Sequence, residues 1–169
     1  MTDVTTASMP ASDKKAHLTA ISRRTVSKPM ADLDRKIRIT DCYSRLDYGC
    51  GRGHDADHYR MDKYDPHYYP DMPVGTFDLI TCNYVLNVIE SVVEKARVIR
   101  DIQSLLTEDG CAYITVRNDQ RALNGITSRG TWQDLTILSG CSVFKTCAGY
   151  TTYAVLKGDT DIKVSASIG

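Results

Sequence analysis

Residues 45–55, RLDYGCGRGHD, carry the most informative pattern in this sequence, because three glycines stand at alternate positions behind a short apolar run. Gly49, Gly51 and Gly53 come shortly after the carboxylate of Asp47. Glycine serves where the main chain needs a positive φ or lies against a ligand, and elsewhere it costs roughly 0.5–1 kcal/mol. We therefore expect a ligand to lie against this loop.

Strand and helix patterns alternate around the glycine loop. Residues 44–48 predict a short strand before it, residues 54–59 a helical turn after it, and residues 60–65 a second strand that ends at Asp65. Residues 65–75 contain three prolines and predict a loop. The apolar run at residues 77–83, FDLITCN, is typical of a strand buried on both faces of a parallel sheet.

The second half of the chain continues the alternation. Residues 91–106 predict an amphipathic helix, whose other faces carry Glu94, Lys95, Arg97, Arg100 and Asp101. Residues 111–117 predict a strand, and residues 119–140 form a polar stretch without a predicted element. CSVFKT and YTTYAVLK predict an antiparallel hairpin that turns at residues 147–149.

This order of elements predicts an open α/β sheet, which binds ligands at the carboxyl ends of its strands. We expect one domain over residues 17–158, with a flexible N-terminus at 1–16 and a flexible tail at 159–169. The segment 17–43 is basic, and its SKPMADL stretch predicts a helix with Ser27 as the cap and Pro29 in the first turn.

Composition excludes several classes of protein. Lys plus Arg and Asp plus Glu number 21 each, so no overall charge recruits nucleic acid or an anionic membrane. The six cysteines form no CxxC pair and predict reduced, buried thiols. The sequence contains neither an 18-residue apolar run nor the apolar core of a secretory signal, so we expect a cytoplasmic protein.

Two common phosphate-binding patterns do not fit the glycine loop. A P-loop needs GxxxxGK[ST], and no lysine follows the glycines. A dinucleotide fold needs GxGxxG, whose third glycine would fall on His54. The pattern present is DxGxGxG, which resembles the first motif of class I S-adenosylmethionine-dependent methyltransferases.

The resemblance continues along the chain in the family's order. FDLITCNYVLNVIE is similar to the fourth motif, and LLTEDGCAYITV is similar to the segment that follows the next helix. It implies a Rossmann-like class I methyltransferase sheet, S-adenosylmethionine as cofactor, and Asp65 as the carboxylate that accepts both ribose hydroxyls. Asp47 either contacts the cofactor through solvent or ties down the amides of the loop. The implied cofactor-binding residues are Asp47, Gly49, Cys50, Gly51, Gly53, His54, Asp65, Pro66, Cys82 and Asn83.

One departure from the family is a shortened middle. Only eleven residues separate Asp65 from Phe77, too few for the usual helix and strand. We therefore expect a compact form that lacks the third strand. Asp71 or a backbone group of residues 67–72 must then supply the adenine contact, or that contact is absent.

A narrower resemblance concerns HLTAISRRTVSKPM, YDPHYYP and NYVLNVIE, which are similar to segments of the methyltransferases associated with DNA phosphorothioation clusters. That resemblance does not settle an acceptor. It makes nucleic acid a possible partner of the basic N-terminal segment, beside a small polar acceptor.

The acceptor side is less clearly marked than the cofactor side. Asn83-Tyr84 lacks the [ND]PP[YF] pattern, so methylation of an exocyclic base amine is not supported, although an orienting role for Asn83 stays open. Two groups of residues are candidates for substrate binding, each with a purely structural alternative. Tyr68, Tyr69 and Tyr84 form either an aromatic wall or ordinary packing, and Arg23, Arg24 and Lys28 form either a phosphate-contacting strip or a solvated face.

No catalytic residue can be named from the sequence. His54 and His58 stand four apart, but no third ligand accompanies them, so we expect no metal site. A non-catalytic accessory module that binds S-adenosylmethionine is the alternative to an enzyme. A site for another nucleoside ligand is a third hypothesis.

Overall fold

The computed structural model describes residues 13–119, 123 and 125–168. The helices are α1 (Lys28–Ile37), α2 (His54–Tyr59) and α3 (Val92–Ser104), with 3-10 segments at Asp13–Thr19, Ile39–Asp41 and Leu86–Val88. The first five strands are β1 (Arg45–Tyr48), β2 (Asp62–Tyr64), β3 (Phe77–Asn83), β4 (Leu106–Arg117) and β5 (Gly125–Ile126). The other five are β6 (Trp132–Gln133), β7 (Leu135–Ser139), β8 (Ser142–Cys147), β9 (Tyr150–Leu156) and β10 (Lys163–Ser167).

The central sheet has six strands in the order β2-β1-β3-β4-β9-β8. The first four are parallel, and β9 and β8 join as an antiparallel hairpin. This arrangement confirms the predicted Rossmann-like α/β sheet with a C-terminal hairpin. The expected loss of the third strand is also confirmed, because residues 65–76 contribute only an isolated bridge between Asp65 and Tyr69 and leave β2 at the edge.

Apolar layers cover both faces of the sheet, as the continuous apolar run of β3 predicts. Helix α3 packs on one face through Val98, Ile99 and Ile102, together with Leu46, Ile80 and Ile114 of the strands. The opposite layer includes Met30 and Leu33 of α1, Ala56 and Tyr59 of α2, and Leu79 of β3. The strand ends that carry the glycine loop and Asp65 are thereby fixed on a rigid support.

Two predictions about the ends of the domain are wrong in part. The tail 159–169 is not loose throughout, because Lys163–Ser167 pairs antiparallel with Leu135–Ser139 of β7. That partner strand lies in the polar stretch for which no element is predicted, so neither strand has a strong apolar signal of its own. At the N-terminus, a 3-10 helix over Asp13–Thr19 enters the segment expected to be flexible, and residues 1–12 lie outside the described part of the chain.

The position of Lys95 also differs from the prediction. The side chain is fully buried instead of facing solvent, and its Nζ lies 2.5 Å from both carboxylate oxygens of Asp134. Thr136 accepts a further hydrogen bond from Nζ at 2.8 Å, and Trp132 donates to Asp134 at 2.9 Å. The segment from β6 to β7 therefore covers a face of α3 that the helical pattern assigns to water.

The cysteines differ from the expected buried thiols in one respect. All six are free, as predicted, but only Cys82 is buried and the other five are half-exposed. No helix among the described residues is long and apolar enough to cross a membrane.

Candidate active site

A cavity of about 830 Å³ lies at the carboxyl ends of the parallel strands. The residues that follow or end β1, β2, β3 and β4 all line it, namely Gly49, Asp65, Asn83 and Arg117. Pockets for small ligands usually measure about 300–1,000 Å³. The cavity therefore has room for a cofactor and for part of an acceptor.

The glycine loop has the backbone that its sequence predicts. Gly49, Gly51 and Gly53 have φ values of 77°, 55° and 81°, which residues with a Cβ rarely adopt. A Cβ on Gly49 would overlap Cγ2 of Val85, and a Cβ on Gly51 would lie 3.2 Å from Cβ of Ala20. The missing side chains thus let two other segments approach the loop while all three glycines still line the cavity.

Asp65 lies beside this loop and binds it. Its Oδ2 accepts a hydrogen bond from the amide of Gly51 at 3.0 Å, and its Oδ1 accepts from the amides of His67 and Tyr68 at 2.9 and 3.0 Å. A carboxylate has about four lone-pair positions, so three are already in use. Asp65 is therefore part of the frame of the loop, and about one acceptor position remains for a ligand.

Asp47 is the most perturbed carboxylate at the cavity. It is 4% exposed and accepts a hydrogen bond from the Thr81 hydroxyl at 2.8 Å. Burial raises its pKa to about 7, the charges of Asp55 and Asp65 raise it further, and the bond from Thr81 opposes the shift. The alternative that Asp47 ties down the amides of the loop is wrong for Gly49 and Cys50, whose amides donate to the Tyr64 carbonyl at 2.7 and 3.0 Å.

The basic N-terminal segment covers this end of the cavity. The rings of His17 and His67 stack with their centroids 3.9 Å apart, and both residues line the cavity together with Ala20. His67 belongs to the segment expected to replace the missing adenine contact. Asp71, the other candidate for that contact, is exposed and does not line the cavity.

The opposite end of the cavity is formed where β3 and β4 end. Tyr84 follows β3 with a φ of 62°, a conformation that costs a bulky residue about 1–3 kcal/mol and is found at functional sites. Burial raises the pKa of the Tyr84 hydroxyl, and the charges of Arg23 and Arg117 oppose that shift. Both arginines therefore lie within electrostatic reach of Tyr84.

The structure brings most of the predicted residues to the cavity but not all of them. Those that line it are Asp47, Gly49, Cys50, Gly51, Gly53, His54, Asp65, Pro66, Asn83, Arg23 and Tyr84. Those that do not are Cys82, Arg24, Tyr68 and Tyr69. Cys82 is fully buried in the core, and Arg24 is exposed to solvent.

Tyr68 and Tyr69 do not form the aromatic wall with Tyr84. The guanidinium of Arg52 lies 5.3 Å from the centroid of the Tyr68 ring. The Tyr69 hydroxyl donates to the Arg52 carbonyl at 3.3 Å. These contacts favour the alternative that the two rings pack the loop after β2.

Several cavity residues were missed by the sequence analysis, among them Arg117, Gln133 and Tyr150. Arg117 carried a usable signal, since it ends a strand at the ligand-binding edge of the sheet. Gln133 and Tyr150 reach the cavity only through the β6–β7 segment and the C-terminal hairpin, whose positions no local pattern indicates.

Three polar atoms around the cavity are buried without a hydrogen-bond partner among the described residues. They are Oγ of Ser27, Nδ2 of Asn83 and Oε1 of Gln133. A buried polar group without a partner costs about 1–3 kcal/mol. A ligand with donors and acceptors in this cavity would remove that cost, so the site fits a polar ligand.

Comparison with protein families agrees with this geometry. A family model described as a methyltransferase domain matches residues 25–144, about 70% of the chain. The chain belongs to this methyltransferase family. The matched range includes the glycine loop, Asp65, Asn83 and Arg117, so the cavity lies largely within the family's domain.

Solved methyltransferase structures align with this chain at low identity. The N-methyltransferase NodS from Bradyrhizobium japonicum, in complex with S-adenosyl-L-homocysteine, aligns with a TM-score of 0.50 and 10% identity over 85% of this chain and 98% of that one. CalS10, an amino pentose methyltransferase from Micromonospora echinaspora, aligns with a TM-score of 0.46 and 17% identity over 83% and 74%. None of the curated proteins compared with this sequence matches it.

Among the described residues, no group of three or more His, Cys, Asp or Glu side chains is placed to hold a metal ion.

Proposed function

We propose that this protein transfers a methyl group from S-adenosylmethionine to a polar acceptor bound in the same cavity. The hydrogen bond from the Gly51 amide to Asp65 carries the proposal. It joins a bare loop after the first strand to an acid after the neighbouring strand, inside one cavity. A sulfonium nucleoside presents an amino-acid end and a sugar to these two features.

The residues present fit that cofactor. The glycine loop lets a ligand approach its backbone, and Asp65 keeps an acceptor position for a ribose hydroxyl. Stacked His17 and His67 offer an aromatic surface where the adenine contact of the third strand is missing. Ser27 supplies an unpartnered hydroxyl at the same cavity.

Positioning is the main contribution expected of the protein. The cofactor supplies a methyl group on a positively charged sulfur, so the transfer is an in-line displacement. Holding donor and acceptor near attack geometry supplies about 7–11 kcal/mol of the barrier reduction. Asn83 and Tyr84 lie at the end of β3, and the unpartnered Nδ2 of Asn83 suits an orienting role toward the acceptor.

The narrower resemblance and the basic N-terminal segment are the two observations that bear on the acceptor class. The resemblance to methyltransferases associated with DNA phosphorothioation favours nucleic acid, with a small polar molecule as the other candidate. The basic segment 17–43 would contact phosphates. Its Arg23 lines the cavity, which supports a link between that segment and the acceptor.

Two measurements test the proposed function. Calorimetric titration of S-adenosylmethionine should show saturable binding, and incubation with methyl-labelled cofactor and fractionated cell extract should label one acceptor class. Binding without labelling of any fraction would favour a non-catalytic accessory module. Equal binding of adenosine derivatives that lack the methionine arm would favour a site for another nucleoside.

A further inference from the structure

Two arginines that line the cavity have no ion-pair partner among the residues that the structure describes. Arg23 and Arg117 are half-buried residues, and neither side chain forms an ion pair or a hydrogen bond with any of the residues that the structure describes. Arg117 does form hydrogen bonds with Asn87, but through its backbone, so they leave the charged group unsatisfied. Half-buried positive charges without a partner favour the binding of an anion.

The carboxylates of the cavity are engaged elsewhere. Asp47 accepts from Thr81, Asp65 accepts from backbone amides, and Asp55 accepts from the amide of Ser27 at 2.9 Å. Glu94 pairs with Arg97 at 2.8 Å. None of these four carboxylates forms an ion pair with Arg23 or Arg117, so a bound anion can pair with the two guanidinium groups.

The two arginines reach the cavity from different parts of the chain. Arg117 is the last residue of β4, two strands from the glycine loop after β1, and Arg23 comes from the N-terminal segment. Both charges lower the pKa of the Tyr84 hydroxyl, against the larger effect of burial, so both arginines lie within electrostatic reach of Tyr84, as Asp55 also does. Asp47 of β1 and Asp65 after β2 line the same cavity.

Neutral polar groups complete this end of the site. Nδ2 of Asn83 and Oε1 of Gln133 are the unpartnered atoms there, one a donor and one an acceptor. Guanidinium groups bind phosphate oxygens through paired hydrogen bonds, more strongly than neutral donors do. The combination of two arginines and an amide donor suits a phosphate better than a single carboxylate.

We propose that the methyl acceptor carries a phosphate group, and that Arg23 and Arg117 hold this phosphate beside Tyr84. The identification of the phosphate-carrying ligand as the methyl acceptor rests on the proposed function. The phosphate site itself does not, because phosphate binding can be measured without cofactor. It differs from the strip Arg23, Arg24 and Lys28 expected from sequence, since it places Arg24 outside the site and adds Arg117.

Calorimetric titration of the full chain with inorganic phosphate and with dimethyl phosphate tests the proposal, in chloride buffer of constant ionic strength. At least one should bind, and Arg23→Gln and Arg117→Gln should each weaken that binding about tenfold or more. Arg24→Gln is the matched control, since Arg24 neighbours Arg23 but is exposed. The phosphate affinity of this variant should differ from that of the parent by less than about twofold. Preference for inorganic phosphate would indicate a monoester, and preference for dimethyl phosphate a phosphodiester of nucleic acid.

The opposite results are equally clear. Absence of phosphate binding, equal loss in Arg24→Gln, or tighter binding of acetate than of either phosphate would overturn the proposal. Titration with S-adenosylhomocysteine shows whether each variant keeps its fold and the other end of the cavity. A variant that loses phosphate binding but still binds S-adenosylhomocysteine would support the phosphate site. Phosphate binding in a protein that binds no cofactor would leave this site standing and reject the proposed methyl transfer.

Discussion

The amide of Gly51 donates a hydrogen bond to Oδ2 of Asp65 at 3.0 Å, which links the loop after β1 to the residue after β2. These two strands are parallel neighbours in the sheet. The bond fixes the acid against the barest part of the backbone, so the loop and the acid act as one unit. Changes at Asp65 should consequently affect both ligand affinity and the order of the loop.

Replacement of Asp65 tests that coupling. Asp65→Ala should weaken the binding of S-adenosylmethionine about tenfold or more, because hydrogen bonds to charged groups contribute about 1.5–3 kcal/mol. It should also lower the free energy of unfolding, since three backbone amides lose their acceptor. Titration calorimetry and denaturant unfolding measure the two effects. Asp71→Ala, on the exposed part of the same loop, is the control, and equal affinity losses in both variants would remove Asp65 from the binding site.

Buried Asp47 should make stability depend on pH. Because burial raises its pKa from 3.8 to about 7, the folded protein binds a proton that the unfolded chain releases between these values. The free energy of unfolding should therefore fall as pH rises from about 4 to about 7, by up to roughly 4 kcal/mol for this group. Above pH 7 its contribution should be constant.

Asp47→Asn isolates this contribution. Asparagine keeps an oxygen that can accept from Thr81 but does not titrate. Denaturant unfolding at a series of pH values should show that the free energy of unfolding falls for the parent but not for the variant between about pH 4 and about pH 7. If the two free energies of unfolding differed by the same amount from pH 4 to pH 7, the pKa of Asp47 would not be raised in the folded protein.

The buried pair of Lys95 and Asp134 predicts strongly non-additive effects. Lys95→Met should destabilise the protein by about 3–5 kcal/mol, because it leaves the Asp134 carboxylate buried without its partner. Lys95→Met combined with Asp134→Asn should cost less than Lys95→Met alone, since no unpaired charge remains. Thermal or denaturant unfolding of the double-mutant cycle measures the coupling. Arg100→Met, at an exposed position of the same helix, serves as the control.

Gly49 should tolerate no side chain. Alanine at a φ of 77° costs about 1–2 kcal/mol, and overlap with Cγ2 of Val85 adds about 1–3 kcal/mol. Val85→Ala in the Gly49→Ala background should recover part of the second contribution. Gly158→Ala, where no atom lies within 4 Å of the added Cβ, should be nearly neutral. If unfolding experiments gave Gly49→Ala and Gly158→Ala the same stability, the packing of Val85 on the loop would be refuted.

The amino-acid sequence by itself determined the frame of this protein. Apolar runs such as residues 77–83 and the helical period of residues 91–106 fix elements through local burial, and the spacing between Asp65 and Phe77 limits what the chain can form there. The glycine pattern predicted positive φ at Gly49, Gly51 and Gly53, since only glycine adopts such a backbone without strain. These constraints act between residues that are close together in the chain, so they can be read from the sequence.

Only the tertiary structure decided which side chains meet. Lys95 lies on a face that its helix presents to water by pattern, and the distant segment at Asp134 converts that face into a buried ion pair. Tyr68 and Tyr69 contact Arg52 and do not form a wall with Tyr84, whereas Gln133 and Tyr150 line the cavity from segments far along the chain. Contacts between residues tens of positions apart depend on how the layers pack, and no local period or motif encodes that packing.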